Sequence, residues 1–271
     1  MGNSETISMT TNFQQKQKSS LIPLSVVVLT KNEEENIEAC LKSVKGWVSE
    51  IIVIDDESKD STVEIAGKYA DKIFIRKMEN EGIHRNWAYV QAKNEWVLSL
   101  DADELVSEPL KEEIFSTLES PDAESYSIPI KTYIGDYWVQ YSGWYPANKM
   151  RLFMKSKQRY EEVEVHPKVA ENISCGKLKQ DIIHRGYPDF THLLNSFNRQ
   201  TTLEARKWIQ TARRMSWGRA LWRTLDRFPR SFLGKKGYKD GFIGFMVAFF
   251  ASLYQVVSYV KYLEMKQKID R

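Results

Sequence analysis

Three short apolar runs rich in β-branched residues, Leu24–Thr30, Ile51–Ile54 and Trp96–Leu100, constrain the fold more than any other feature of the chain. Runs of this kind read as strands buried on both faces, as in a parallel sheet. The stretches between them have helical spacing. Asn32–Val44 puts Ile37, Leu41 and Val44 on one side behind an acidic first turn at Glu33–Glu35. Thr62–Tyr69 and the stretch around His84–Ala92 read as two further helices, and Lys72–Arg76 as another strand. Alternation of this type predicts an α/β fold, an open parallel sheet with helices on both faces. Such sheets bind ligands at the carboxyl ends of their strands.

The second half is less regular. Glu108–Leu118 and Phe190–Thr211 are expected as helices, Ser125–Lys131 and Arg151–Met154 as strands, and Gly135–Ala147 as an aromatic loop. From Gly241 to Val260 no charged residue occurs. A chain of 271 residues holds one sizeable core with room for an appendage. The expected division is a polar, disordered tail over residues 1–20, a catalytic domain over 21–190 and a basic helical extension over 191–271. Within the catalytic domain, residues 21–110 form a donor half and 111–190 an acceptor half; within the extension an apolar helix covers about 241–262. Residues 1–20 lack the apolar core of a signal peptide, though Met1–Thr6 matches an N-myristoylation pattern. Cys40 and Cys175 have no metal-ligand spacing and indicate no disulfide framework, which fits a reducing cytoplasm.

The strand ends carry the chemistry. Strand one is followed by Thr30-Lys31-Asn32-Glu33 rather than a glycine-rich turn, which argues against a dinucleotide oxidoreductase and a P-loop NTPase. Strand two runs into Asp55-Asp56, and strand four into Asp101-Ala102-Asp103-Glu104. A D-x-D tripeptide alone is common and can be two solvated turn acids. Directly after a buried strand, beside a neighbour that also ends in acids, Asp101 and Asp103 suit a hard divalent cation, Mg²⁺ or Mn²⁺, that also binds phosphate. The histidines have neither H-E-x-x-H nor Cys/His spacing, so zinc is not expected.

The runs VVVLTKNEEENIEACLKSV, EIIVIDDESKDSTVEIA and WVLSLDADE resemble glycosyltransferase family 2. The likeness continues through GWYPANKMRLF (Gly143–Phe153), EVH (Glu164–His166) and the His184–Tyr187 segment, in the manner of the lipopolysaccharide core β-1,4-glucosyltransferase subfamily. The resemblance implies a GT-A, Rossmann-like sheet and inverting transfer of a hexose, with glucose as the guess, from a UDP-sugar to a glycan or glycolipid. It implies that Thr30 and Asn32 line a uridine pocket and that Asp56 accepts a hydrogen bond from the base. Asp103 would ligate the metal, and Asp101 would contact it or the ribose. Arg85 would pair with the diphosphate, or else be a solvated helix charge. A general base must take the acceptor proton. Glu161, Glu162, Glu164 and His166 are the local candidates, with Glu164 preferred for its place in EVH. The family usually has an acid after this histidine, where Pro167 stands here. Trp144, Tyr145, His166, His184 and Arg185 are acceptor-side candidates; for the aromatic residues, a packed satellite core is the alternative.

Two other readings stay open on the residues alone: a nucleotidyltransferase on a related sheet, and a non-catalytic nucleotide-sugar binding module docked on a membrane. The first expects a glycine- and base-rich loop where TKNEEE stands. The second leaves the acids after strands two and four without a purpose. Between Arg199 and Lys239 basic residues face only Glu204 and Asp226. This bias predicts an anionic membrane surface as partner rather than nucleic acid, for which no motif is present. With the apolar stretch after Gly241, it places the protein at the cytoplasmic face of a membrane, the helix lying in plane or re-entering, or else serving as a buried core helix.

Overall fold

The computed structural model describes residues 21–161 and 173–269. The expected polar tail, and its myristoylation pattern, lie outside them. The central strand is β1 (Ile22–Thr30), flanked in parallel by β2 (Val48–Asp55) and β4 (Trp96–Asp101), with β3 (Lys72–Ile75) outside β2. Beyond β4 the sheet continues through β9 (Lys149–Met154) and β6 (Ser125–Ile128), where the pairing turns antiparallel, and ends at β10 (Cys175–Lys177). The alternation of side chains along β1 feeds two cores. Leu24, Val26 and Val28 pack with Ile37, Leu41 and Val44 of α1 (Ile37–Val44) and with Leu110 and Ile114 of α4 (Glu108–Glu119). Val27 faces the other way, with Ile52, Ile54, Val97 and Phe153, against Ala88 and Tyr89 of α3 (Glu81–Val90). Helices therefore cover both faces, as the alternation predicts.

Two elements depart from expectation for physical reasons. The first helix starts at Ile37 rather than Asn32. Asn32 takes a left-handed conformation, φ 53°, which asparagine tolerates better than most residues. The N–H groups of Asn32, Glu33 and Glu34 then donate to Ser58, Thr62 and Asp60. Asn32 and Glu34 in turn accept from the N–H groups of Lys59 and Ser61. This exchange stitches the loop after β1 to the loop that leads into α2 (Thr62–Ala66). The expected strand Ser125–Lys131 breaks at Pro129, which cannot donate to a ladder. The chain leaves the large sheet at Ile128 and enters a smaller one as β7 (Ile130–Ile134). That sheet is ordered β5 (Glu104–Val106), β11 (Ile182–His184), β7, β8 (Tyr137–Trp138). A C-terminal helical unit follows, made of α5 (Phe190–Gln210), α6 (Trp217–Pro229) and α7 (Gly241–Ile269).

Candidate active site

Register brings the predicted acids onto one rim. Across the parallel ladders Thr30 lies beside Asp55, and Leu29 beside Asp101. The ladder extends one step further: the N–H of Asp56 donates to the Thr30 carbonyl at 2.9 Å, and that of Ala102 to the Leu29 carbonyl at 3.1 Å. The loops carrying Asp56 and Asp103 thus leave on either side of β1. Asp56 is buried; one carboxylate oxygen takes Lys31 Nζ at 2.7 Å and the other takes the Met78 N–H at 2.7 Å. At the floor, the Thr30 hydroxyl and Asp55 Oδ1 are buried with no hydrogen-bond partner among the described residues. Buried polar atoms are seldom left so, and two on adjoining strand ends suit the polar edge of a ligand.

Asp101 and Asp103 have different surroundings. Asp101 Oδ2 accepts from Arg151 Nη2 at 2.6 Å, and Oδ1 lies 3.4 Å from Arg85 Nη2. Burial opposes its charge, but the guanidiniums of Arg151 and Arg85 outweigh burial and hold its carboxyl well below the usual range. The same Arg151 nitrogen reaches Glu104 Oε1 at 2.5 Å. Burial, with the charge of Asp101 adding to it, pushes the Glu104 carboxyl upward despite Arg151. Arg85 also donates to Glu81 at 3.0 Å. Arg151 was not singled out in the sequence; its signal is a charged residue inside the apolar strand run Met150–Met154.

Asp103 turns instead to β11, where Oδ2 lies 3.1 Å from His184 Nε2. The antiparallel pairing of β5 with β11 sets His184 opposite Glu104 and so delivers the imidazole to this loop. Burial disfavours imidazolium, yet the hydrogen bond and charge of Asp103 prevail and raise the His184 pKa. Gly186 leaves room for this contact: a Cβ there would collide with Asp103 Oδ2 and fall 2.6 Å from His184 Nε2, so those two side-chain ends would have to shift. A carboxylate and an imidazole nitrogen converging over a glycine fit a divalent cation whose other positions go to phosphate and water. No group of three metal-ligating side chains occurs among the described residues. Glu33, read in the sequence as a first-turn acid, also belongs near this loop. Burial raises its pKa and the charge of Asp103 adds, while Asn36 and Arg199 oppose.

The acceptor-side candidates separate. Trp144 lies 5.8 Å from Tyr187, whose ring meets His184 edge-on at 5.5 Å. Both Trp144 and Tyr187 line a cavity of about 270 Å³, with Leu193, Phe197, Phe250 and Tyr254. Tyr145 instead donates to Asp181 at 2.9 Å and packs on Trp138, as a satellite core would. Arg185 is exposed, its guanidinium 5.2 Å from the Tyr133 ring. Glu162, Glu164 and His166 lie outside the described residues. Up to Glu161 the chain is anchored beside the rim, because Asn86 exchanges two hydrogen bonds with the Tyr160 backbone at 3.0 and 2.8 Å.

The fold and the sequence both have known relatives. The structure is similar to a mannosyltransferase from Pyrobaculum calidifontis, solved with GDP-Man and Mn²⁺. The TM-score is 0.53 at 12% identity over 94% of each chain, which marks the GT-A fold. The sequence is 28% identical over 235 residues to an uncharacterised glycosyltransferase from Rickettsia typhi, covering 82% of this chain and 80% of that one. It is 21% identical over 253 residues to the lipopolysaccharide core biosynthesis glycosyltransferase LpsC of Rhizobium meliloti, covering 89% and 92%. The profile of glycosyl transferase family 2 matches residues 25–178, from the first strand to just past β10, and the chain belongs to that family.

Proposed function

We propose that this glycosyltransferase is a metal-dependent, inverting hexosyltransferase. In this reading it moves a sugar, glucose first among the choices, from a UDP-sugar to a glycan or glycolipid in lipopolysaccharide core or other envelope polysaccharide synthesis. It would work at the cytoplasmic face of a membrane. The observation that carries the reading is the split of the D-x-D pair: Asp103 converges with His184 over Gly186, while Asp101 is charge-locked by two arginines. The likeness to LpsC supports the envelope setting.

In this reading Thr30, Asn32 and Asp56 receive the uridine, the unpartnered Thr30 hydroxyl and Asp55 oxygen meeting its polar edge. Arg85 lies 3.4 Å from Asp101 and also donates to Glu81 and Tyr89; in this reading it turns part of that fork to the diphosphate. Asp103 and His184 hold the divalent cation, with Asp101 fixing the loop; when bound, that cation neutralises charge on the departing diphosphate. The acceptor would lie on the Trp144 and Tyr187 side, with Arg185 near its approach; Tyr145 supports that side through Asp181 and Trp138, and His166 is kept as an acceptor-binding candidate. Its hydroxyl oxygen attacks the anomeric carbon as the bond to the diphosphate breaks. The hydroxyl proton goes to a carboxylate of the 161–164 stretch, Glu164 first and Glu162 next.

The test is calorimetric titration of UDP with Mn²⁺ and with EDTA, beside UDP-sugar turnover by Asp103→Ala. Chelation should weaken UDP binding at least about tenfold, and the substitution should cut turnover about 100-fold with an unchanged melting temperature. Equal UDP affinity in EDTA, with near-normal turnover by Asp103→Ala, overturns the reading.

A further inference from the structure

We propose that α6 and the N-terminal half of α7 form one docking surface for an anionic lipid bilayer, lying in the plane of its interface. The inference rests on the membrane-borne acceptor proposed above and names the surface that would meet the membrane. Helix α6 is arranged against the rule for a soluble helix, which buries its apolar stripe and exposes its charges. Its fully buried residue is Ala220, and two of its arginines turn inward. Arg223 donates to Gln255 of α7 at 3.0 Å, and Arg227 lies 5.9 Å from the Tyr254 ring. Outward stand Trp217 (71% exposed), Trp222 (69%), Leu225 (63%) and Leu221.

Helix α7 is built the same way. Its buried residues include Gly244, Ala248, Ser252, Gln255 and Ser258, while Phe242 (74% exposed), Phe245 and Phe249 face out. Small and polar residues between helices with large apolar ones outside is the packing of helices that have lipid for a neighbour. The two helices share the face. Phe228 of α6 meets Phe245 edge-on at 5.6 Å, and Phe245 stacks with Phe242 and Phe249 at 6.1 and 6.2 Å.

The charges say what covers it. Arg213, Arg214, Arg219, Lys235, Lys236 and Lys239 are all exposed on the segments that bound the patch. The acid of α6, Asp226, is held by Arg230 at 2.5 Å. An apolar face rimmed by bases matches acyl chains beneath anionic headgroups. A second copy would bring the basic rims together across a two-fold axis. At 29 residues α7 is long enough to cross a bilayer, but it is packed on α5, whose exposed Asn195, Asn198 and Arg199 would be drawn into hydrocarbon with it. An in-plane pose keeps these in water.

The experiment uses the full chain with sedimentable vesicles of phosphatidylcholine, with and without phosphatidylglycerol. The wild type should bind the anionic vesicles at least about tenfold more than the neutral ones. The triple substitution Trp217→Ser, Trp222→Ser, Leu225→Ser should lose that binding about tenfold or more, with UDP affinity and melting temperature unchanged. Arg213→Glu with Arg214→Glu, which touches no apolar residue, should erase the preference for phosphatidylglycerol. Binding by both variants equal to wild type overturns the docking surface alone. A full-length chain that ignores both vesicles overturns it together with the membrane-borne acceptor. A dimer in light scattering that the triple substitution dissociates, without vesicle binding, replaces the bilayer by a second copy.

Discussion

Arg151 sets the charge balance of the rim. One terminal nitrogen bridges Asp101 and Glu104; Arg151 and Glu104 are buried, while the Asp101 side chain stays 34% exposed. Removing the cation leaves two carboxylates facing each other in a partly dry site, the costly way to break a buried ion pair. Arg151→Met is therefore expected to lower stability by about 3–5 kcal/mol in urea unfolding. Arg151→Lys, which returns a charge on a shorter stem without the guanidinium plane, should recover part of that loss. A Met variant as stable as wild type would mean that Glu104 is protonated and Asp101 solvated. The loss should exceed that of Asp103→Ala, because Asp103 is partly exposed and His184 can stay neutral without it. At this scale Asp101 and Asp103 were legible and Arg151 was not. Acids after a buried parallel strand must share an edge with neighbouring strand ends. An arginine of β9 reaches that edge only through antiparallel pairing with β4, whose register no local pattern specifies.

The same contrast holds for the elements. The four parallel strands and the helices between them follow from hydrophobic spacing, because each strand is apolar on both faces and each helix on one. The small sheet is poorly legible: its strands are short, and the register of β5 against β11, which delivers His184, joins residues far apart in the chain. Helix α3 carries a pH-sensitive group. His84 is buried, and Arg76 Nη1 lies 3.1 Å from its Nδ1, which therefore accepts from the guanidinium. Burial first, and the charge of Arg76 second, depress its pKa to about 4. The unfolded chain takes up this proton near pH 6.5 and the folded chain resists it until about 4. The unfolded state thus binds more protons across that window, and stability falls as pH drops through it, by on the order of 3 kcal/mol in total. His84→Gln can still accept from Arg76 but does not titrate. Its melting temperature should fall less between pH 7 and pH 4 than that of wild type. Parallel profiles for the two proteins would place the acid sensitivity elsewhere.

Across the whole molecule, the question is how the helical unit is joined to the sugar-transfer domain. The apolar stretch from Gly241 was legible as a helix, but its mode of attachment was not, because the joint is polar and local. The chain turns at Gly237–Asp240 just before α7, and the Asp240 carboxylate is buried there. Oδ2 accepts the Tyr141 N–H at 2.8 Å, while Oδ1 accepts the Gln140 N–H at 3.4 Å and the Tyr137 hydroxyl at 3.2 Å. The N–H of Ser142 donates to the Lys235 carbonyl at 3.1 Å, and Ser231 Oγ donates back to the Ser142 carbonyl at 3.2 Å. One carboxylate thus holds the aromatic loop, three residues before Trp144, to the turn that launches α7. Replacing Asp240 by Ala leaves two backbone donors and the Tyr137 hydroxyl without their shared carboxylate acceptor. The expected cost is about 2–3 kcal/mol. For a chain of this size that corresponds to a melting temperature lower by about 5–10 °C. UDP affinity should stay within about twofold of wild type, since among the described residues the strand ends that would hold the nucleotide share no hydrogen bond with this joint. Differential scanning calorimetry beside UDP titration reads both quantities. A loss of UDP binding equal to the loss of stability would mean that the two halves unfold as one unit. An unchanged melting temperature would mean that Ser142, Ser231 and the aromatic packing hold the joint without Asp240.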